Sequence, residues 1–386
     1  MRGLERHVAA TLLMVFAVVL SGTLGVQAHK IVTSPYTYNE HVFPILRDHC
    51  GGCHVDGGPA PMSLLSYMDK SGGAVAWAQS IREMLVSEAM PPWYADATGP
   101  VVEHMHPLSA HDLDVVITWA SGGTPEGDAA LRPSPVSAHA RWAVGEPDVV
   151  IAMPGDHTLD AKTPQETFEM TLPTGLTSPT WVRAADLLPG TPSIVRRALI
   201  SVVDGPVLRV WEPGEDVPIA PAGTAFLVPP AAKLRLQIFY KKTWQEEQDE
   251  KSDRSSIGLY FTQAPASGAG IDAMTLHGEP AQGDAPMSFS GMMNRSARVL
   301  ALRPQLDRPY GSVEITATLA SGDRVPLLRL HAPRPEWPRR YWLRHPVDLP
   351  AGTKIEQIGT PSEPDADPAS APTGQPLQLA VDFVPQ

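Results

Sequence analysis

The chain has 386 residues, a formal net charge of −12, 43% hydrophobic residues and only two cysteines. An acidic balance excludes a protein that wraps nucleic acid, whose phosphates need a basic footprint; it suits a soluble protein meeting a partner with a basic patch. Two cysteines allow at most one disulfide, so the fold rests on an ordinary buried core, and the length allows two or three domains.

The first stretch, MRGLERHVAATLLMVFAVVLSGTLGVQA, has Arg2 and Arg6 in a short charged head, an apolar run from about Ala9 to Val19, and small residues at its close. This pattern predicts a secretory signal over 1–28. The alternative is an uncleaved membrane anchor, because the apolar run is near the length at which a helix spans. No cysteine follows the signal directly, which excludes a lipoprotein anchor, and no later segment is apolar enough to span. The mature chain is expected in the periplasm or outside the cell, with no membrane span after cleavage. Cleavage after Ala28 leaves His29 as the new N-terminus. Its amine and imidazole together can chelate copper, although any cleaved chain can begin with histidine.

Residues 38–128 carry helical spacing. NEHVFPILRDHC places Val42, Phe43, Leu46 and Cys50 on one face, with Asn39 as the expected cap. GAVAWAQSIREML offers Val75, Ala78, Ile81, Arg82 and Leu85 as a second face. LSAHDLDVVITWASGG begins at Ser109, a capping residue, and stops at Gly122–Gly123. The stretch AALRPSPVSAHAR, 129–141, reads as a linker. Beyond it the texture changes to short alternating or apolar runs divided by Gly, Pro and Asp. They are PDVVIAM, ETFEMTL, TWVRAADLL, IVRRALISVV, KLRLQIFYK, SIGLYFTQ, SVEITATLA, PLLRLHA, YWLRHPVDL and LQLAVDFV. Such runs predict antiparallel sandwiches. The remaining length is long for one, so two are expected, 142–265 and 266–386. TWQEEQDEKSDRS is expected to be a solvated hairpin loop, and GTPSEPDADPASAPTGQP a low-complexity loop before a last strand. The fold class is thus multidomain: a small all-α domain over 38–128, then an all-β region of two jelly-roll-like antiparallel sandwiches.

Both cysteines fall in HCGGCHVDGG, residues 49–58. Closely spaced cysteines serve a disulfide, half a zinc site, a thiol redox pair or a covalent haem. A zinc site needs two more good ligands, and a thioredoxin-like pair needs a βαβ context. C-x-x-C-H in an exported chain is the haem attachment signature: Cys50 and Cys53 add across the porphyrin vinyl groups, and His54 lies under the iron. One haem c is expected. An electron-transfer haem needs a second axial ligand, commonly a methionine sulfur. The candidates are Met62, Met68, Met84, Met90 and Met105. Met62 lies near the attachment site; Met68 and Met84 sit in or near helices, where packing is the ordinary role. Met90, in SEAMPPWYAD, is held by Pro91 and Pro92, which fix the backbone and leave no amide hydrogen to satisfy, with Trp93 as apolar cover. Met90 is the expected distal ligand. In EHMHPLS, His104, Met105 and His106 form a second ligand-rich patch, although a His-x-His on a loop is usually just exposed.

FPILRDHCGGCHVDGGPAPMSLLSY, WAQSIREMLVSEAMPPWYAD and VVITWASGGTPEGD resemble the haem domain of a bacterial family that joins a c-type cytochrome to a copper type II, ascorbate-dependent monooxygenase-like region. The resemblance covers about 40–128 and implies haem c with His54 and Met90 as axial ligands. It continues through WAVGEPDVVIAMP, TGLTSPTWVRAADLLPGTPSIVRRALISV, DRSSIGLYF and LPAGTKIE, which are similar to the peptidylglycine-hydroxylating type, two jelly-roll sandwiches side by side. In that family one copper is held by a His-His pair plus a later histidine, and the other by His-x-His plus a methionine.

This chain departs at those places. Arg196–Arg197 stand at the His-His pair, Phe239 at the next histidine, and Arg303 and Gln305 at the His-x-His. From Trp142 onward the only histidines are His157, His277, His331 and His345, too few for both sites and none paired. Arginine stays protonated and does not ligate copper. Met287, Met292 and Met293 read as packing residues. Copper is not expected, and the arginines are either solubilising surface residues or a cationic patch for an anion or acidic partner.

Two functions follow. The first is a periplasmic electron carrier with one haem, whose monooxygenase-like β module serves docking or assembly and whose redox partner has a basic docking surface. The alternative is an oxidoreductase in which the haem feeds electrons to copper bound elsewhere, through His29, His104 and His106.

Overall fold

The computed structural model describes residues 33–70, 72–92, 94–103, 107–132, 141–279, 285–362 and 376–386. The signal over 1–28, His29, Trp93, the His104–Met105–His106 patch, most of the 129–141 linker and most of the low-complexity loop lie outside the described residues. Among the described residues no helix is long and apolar enough to cross a membrane.

The helices come first. A π-turn, Tyr38–Val42, runs into α1 (Phe43–His49); α2 (Gly73–Ala76), α3 (Ala78–Val86) and α4 (Ala110–Ser121) follow. Residues three and four apart share a helix face. That spacing buries Val42, Phe43 and Leu46 against Ala78, Ile81, Leu85 and against Val115, Val116 and Trp119 of α4, in one core. Ser109 caps α4, its Oγ accepting the Asp112 N–H, and the chain leaves α4 at Gly122 and Gly123, the latter at φ +79. Three expectations are corrected. Asn39 does not cap: the helical turn starts a residue earlier, and buried Asn39 donates to the Asp128 carbonyl and accepts from Arg132, tying the start of this unit to its end. Arg82 is exposed rather than on the buried face. Met68 and Met84 do not pack; they are 69% and 43% exposed.

The rest is antiparallel sheet. The strands are β1 (Val149–Ala152), β2 (His157–Leu159), β3 (Gln165–Pro173), β4 (Thr180–Leu188), β5 (Val195–Val202), β6 (Val207–Trp211), β7 (Phe226–Val228), β8 (Lys233–Lys241), β9 (Lys251–Asp253) and β10 (Ser256–Thr262). Then come β11 (Asp272–Gly278), β12 (Met287–Met292), β13 (Ala297–Gln305), β14 (Tyr310–Thr318), β15 (Arg324–His331), β16 (Tyr341–Leu349), β17 (Lys354–Pro361) and β18 (Leu377–Pro385). Sheets β1-β10-β4-β7 and β3-β8-β5-β6 enclose one core, and sheets β11-β18-β13-β16 and β12-β17-β14-β15 enclose another. Strand β8 shows why. In KLRLQIFYK the residues Leu234, Leu236, Ile238 and Tyr240 are fully buried, while Lys233, Arg235, Gln237, Phe239 and Lys241 point away, the period of two that a half-buried strand imposes. The acidic loop over 243–255 is not wholly solvated. Its end forms β9, which pairs with β2, and buried Asp253 accepts from Tyr240 Oη at 2.8 Å and Ser255 Oγ at 2.7 Å.

One segment joins the two parts. Residues 94–103 lie as a strand-like strap on the second pair of sheets, with bridges Ala95 to Leu330 and Val102 to Leu343. Backbone bonds from His331 to Tyr94, Asp96 to Arg329, Glu103 to Trp342 and Arg344 to Val101 hold it. Tyr94 and Val102 enter the second β core. Strands β15 and β16 are the edges of their sheets, so the strap covers both.

Candidate cofactor site

The last turn of α1 carries straight into the cysteine motif. The Cys50 N–H bonds to Leu46 O at 2.9 Å, and the N–H groups of Cys53 and His54 return to Cys50 O at 3.1 and 2.8 Å. The following loop folds back, Ala60 N–H onto Cys53 O and Leu64 N–H onto His54 O. Cys50, Cys53 and His54 therefore sit on one tight turn beside the helical core, into which Cys50 and Met62 pack.

The cysteines are half-buried and not bridged. Burial pushes both thiols up to about 12, the neighbouring Cys53 adding to the effect on Cys50, and Glu212 adding to it on Cys53 against Arg339 and Arg196. Both are neutral at physiological pH. A thiol redox pair needs the opposite, a depressed thiol beside positive charge. Burial lowers the pKa of His54, partly offset by the Met62 backbone, so its imidazole is held neutral, the form that ligates metal. Its Nδ1 is buried without a hydrogen-bond partner. Among the described residues no three His, Cys, Asp or Glu side chains gather as a metal-binding group, so the motif has no zinc partners there.

Met90 is on a separate segment just past α3. It is half-buried, and its N–H bonds to Met84 O at 3.3 Å ahead of Pro91 and Pro92. Met287 and Met293 are buried in the second β core, as packing requires, and Met292 is 57% exposed.

The other side of the motif rests on the first sandwich, a contact with no local signal in the sequence. Cys53 Sγ donates to Pro213 O at 3.3 Å. Gly52 faces Gly214 backbone to backbone: a Cβ on Gly52 would come within 2.3 Å of Gly214 Cα. Below this contact lie buried charges. Arg339 pairs with Glu212 at 2.7 Å and Glu215 at 3.7 Å, and Arg209 pairs with Glu215 at 3.0 Å. Burial raises Glu212 to about 7, against the pull of Arg339. Asp382 accepts from Arg303 and Arg340 at 3.0 and 2.9 Å, and these arginines hold its pKa down despite burial.

The five positions expected to match copper ligands, Arg196, Arg197, Phe239, Arg303 and Gln305, have separate fates. A bulge in β5 makes Arg196 the extra residue, so that Arg197 stands opposite Phe239 of β8. Arg196 turns aside, half-buried, donating to Ser193 O; burial lowers it to about 10. Arg197, Phe239, Arg303 and Gln305 all line one cavity of about 690 Å³ between the two pairs of sheets. These arginines are not solvated surface residues. His157 stacks on Phe168 and pairs with Glu166, while His277, His331 and His345 are exposed, and none of the four lines the cavity.

No family model matches the sequence, and no curated protein does. Solved structures give weak likenesses. The major capsid protein of bacteriophage PM2 is 10% identical with a TM-score of 0.29, over 57% of this chain and 97% of its own. A structure from Sulfolobus Turreted Icosahedral Virus is 8% identical with a TM-score of 0.26, over 62% and 90%. Allantoicase from Saccharomyces cerevisiae is 8% identical with a TM-score of 0.20, over 56% and 77%.

Proposed function

We propose that this chain is an exported c-type cytochrome that carries single electrons, with one haem on the helical unit and a jelly-roll-like, monooxygenase-like β region as its docking or assembly module. The observation that carries the reading is the turn over 50–54: two unbridged thiols and a neutral imidazole presented together at the end of α1, beside an apolar core.

The residues present fit the group. Cys50 and Cys53 would hold it as thioethers, for which thiols that are neutral and not committed to each other are the right starting point. His54 would supply one axial nitrogen. Met90 would supply the second ligand, its position set by two prolines that follow it. When bound, the haem would take up and release one electron at a time. The chain's own work is to keep water from the site: Leu46, Leu64, Leu85 and Trp119 form a dry wall around the motif's helix. It also seats one edge of the motif on Pro213–Gly214 of the β region.

The convergence of Arg197, Phe239, Arg303 and Gln305 on one cavity supports the likeness to the copper monooxygenase region, because unrelated positions would have no reason to meet. Their chemistry supports a region that no longer works through imidazole-bound copper. The test is expression of the full chain with cytochrome c maturation factors. Haem that stays on the chain through denaturation and organic extraction is expected, and loss of attachment in a Cys50→Ala, Cys53→Ala variant. Extractable haem, or none, would sink the reading.

A further inference from the structure

We propose that the cavity between the two sandwiches binds a small organic carboxylate with a flat, unsaturated or aromatic body. The site is built from two facing sheets. Alternation along β8 turns Gln237 and Phe239 out of the first core, and the β5 bulge sets Arg197 beside Phe239. Across the gap, Arg303 and Gln305 share a face of β13 and stand opposite Ala380 and Gln378 of β18. The turn between β15 and β16 closes one end with Arg334, Trp337 and Arg339. The cavity volume, about 690 Å³, is in the range that holds a small ligand.

Four arginines line this cavity, Arg197, Arg303, Arg334 and Arg339, beside two aspartates, Asp204 and Asp272. Arg303 pairs with Asp382, and Arg339 with Glu212 and Glu215. Among the described residues Arg197 makes no ion pair, and the charges of Glu212 and Glu336 act on it only at a distance. It donates from Nη1 to the Glu336 carbonyl at 2.9 Å, and its guanidinium lies 4.5 Å from the Phe239 ring centre. A largely desolvated guanidinium without a close ion pair is costly. One whose edge is left open, on the wall of a cavity, is placed to accept an anion in two parallel hydrogen bonds. Burial already pulls its pKa down, which a bound anion would reverse.

The rest of the lining chooses among anions. Phe239, Trp337, Tyr94 and Tyr341 surround the arginines with aromatic surface. A free phosphate or acetate would leave that surface wet. A carboxylate on a flat body satisfies the fork and covers the rings at once. The uncharged amides of Gln237, Gln305 and Gln378 can orient polar substituents without adding charge. Nothing in this site depends on the haem.

The test is calorimetric titration of the mature full-length protein with benzoate, acetate and inorganic phosphate. Benzoate is expected to bind at one site, at least about ten-fold tighter than acetate or phosphate, which is roughly 1.4 kcal/mol. Arg197→Gln should weaken benzoate by about ten-fold or more, and Arg197→Lys, which keeps charge but not the fork, by nearly as much. Phe239→Leu should weaken benzoate and leave acetate unchanged. Arg298→Gln, which removes an exposed arginine paired with Asp348, should change nothing. Phosphate binding as tightly as benzoate would overturn the flat organic body. Undiminished benzoate binding in folded Arg197→Lys, or no benzoate binding at millimolar concentration, would overturn the site. If Arg197→Gln does not fold, Arg197→Lys and Phe239→Leu decide.

Discussion

Gly52→Ala tests whether the cysteine turn is truly seated on the first sandwich. The added Cβ would stand 2.3 Å from Gly214 Cα, against 3.5–4.0 Å for two carbons in comfortable contact, so the surfaces must part by roughly 1 Å. Neither atom belongs to a flexible side chain that can swing away. Overfilling of a packed site costs about 1–3 kcal/mol, and a backbone-on-backbone clash belongs at the upper end. Parting the surfaces also weakens the Cys53 bond to Pro213 O, worth about 1 kcal/mol. A loss of about 3 kcal/mol follows, lowering the thermal midpoint by about 5 °C in a chain of this size. The comparison variant is Gly57→Ala, on the same loop, at φ +73 with nothing within 4 Å of its Cβ; it carries backbone strain but no clash. Unfolding should be followed by tryptophan fluorescence on the full-length protein, with covalent haem content recorded in parallel. Attachment should survive in both variants, since each keeps both cysteines and His54. A Gly52→Ala protein no less stable than Gly57→Ala would refute the contact.

Met90→Ala should remove the sulfur-to-iron charge-transfer absorption of the oxidised protein and lower its reduction potential, while Met62→Ala leaves both in place; the reverse pattern would assign the ligand to Met62. Asp382→Asn leaves Arg340 and Arg303 buried around a neutral amide, and should cost about 3–5 kcal/mol in urea unfolding. A loss under about 1 kcal/mol would mean that the pairs are not the buried clasp described. Glu212 predicts a pH dependence. Folding raises it from an ordinary 4.5 to about 7, so between those values the folded chain keeps a proton that the unfolded chain has released. Its contribution is present below pH 4.5, is lost as pH rises through about 7, and is flat above; the total is about 3 kcal/mol. Glu212→Gln should erase that slope, seen as unfolding free energies at pH 4.5 and 7.5 that differ less in the variant than in the parent. Parallel profiles would contradict the assignment.

Local chemistry was readable where one segment holds all the information. The period of two in KLRLQIFYK, the Ser109 cap with its Gly122–Gly123 stop, and the C-x-x-C-H turn need no partner to be recognised. Strands of three residues such as β2, β7 and β9 were not, because nothing so short carries a period, and they exist only through a neighbour. Asn39 reads as a cap by residue type, yet its amide is claimed by residues 128 and 132, far along the chain. Glu212, Arg339 and Asp382 look like surface charge in any window; burial is decided by where three remote elements meet. The pair Arg196–Arg197 shows the limit most clearly. Adjacent and identical in sequence, they part company because a single bulge sends one beside the cysteine turn and the other into the cavity.

The strap over residues 94–103 bears on how this protein can be inherited and cut. Because it bridges one edge of each sheet in the second pair, β15 and β16, and lends Tyr94 and Val102 to their core, the helices and these sheets are not modules joined only by a tether. A fragment beginning at the first strand would bare two rows of unpaired backbone groups, the template on which other chains stack. A fragment ending after the helices would carry the strap as an uncovered loop between α3 and α4. Gene fusions or splits that part the helices from the sheets would leave the strap and these two edges without each other.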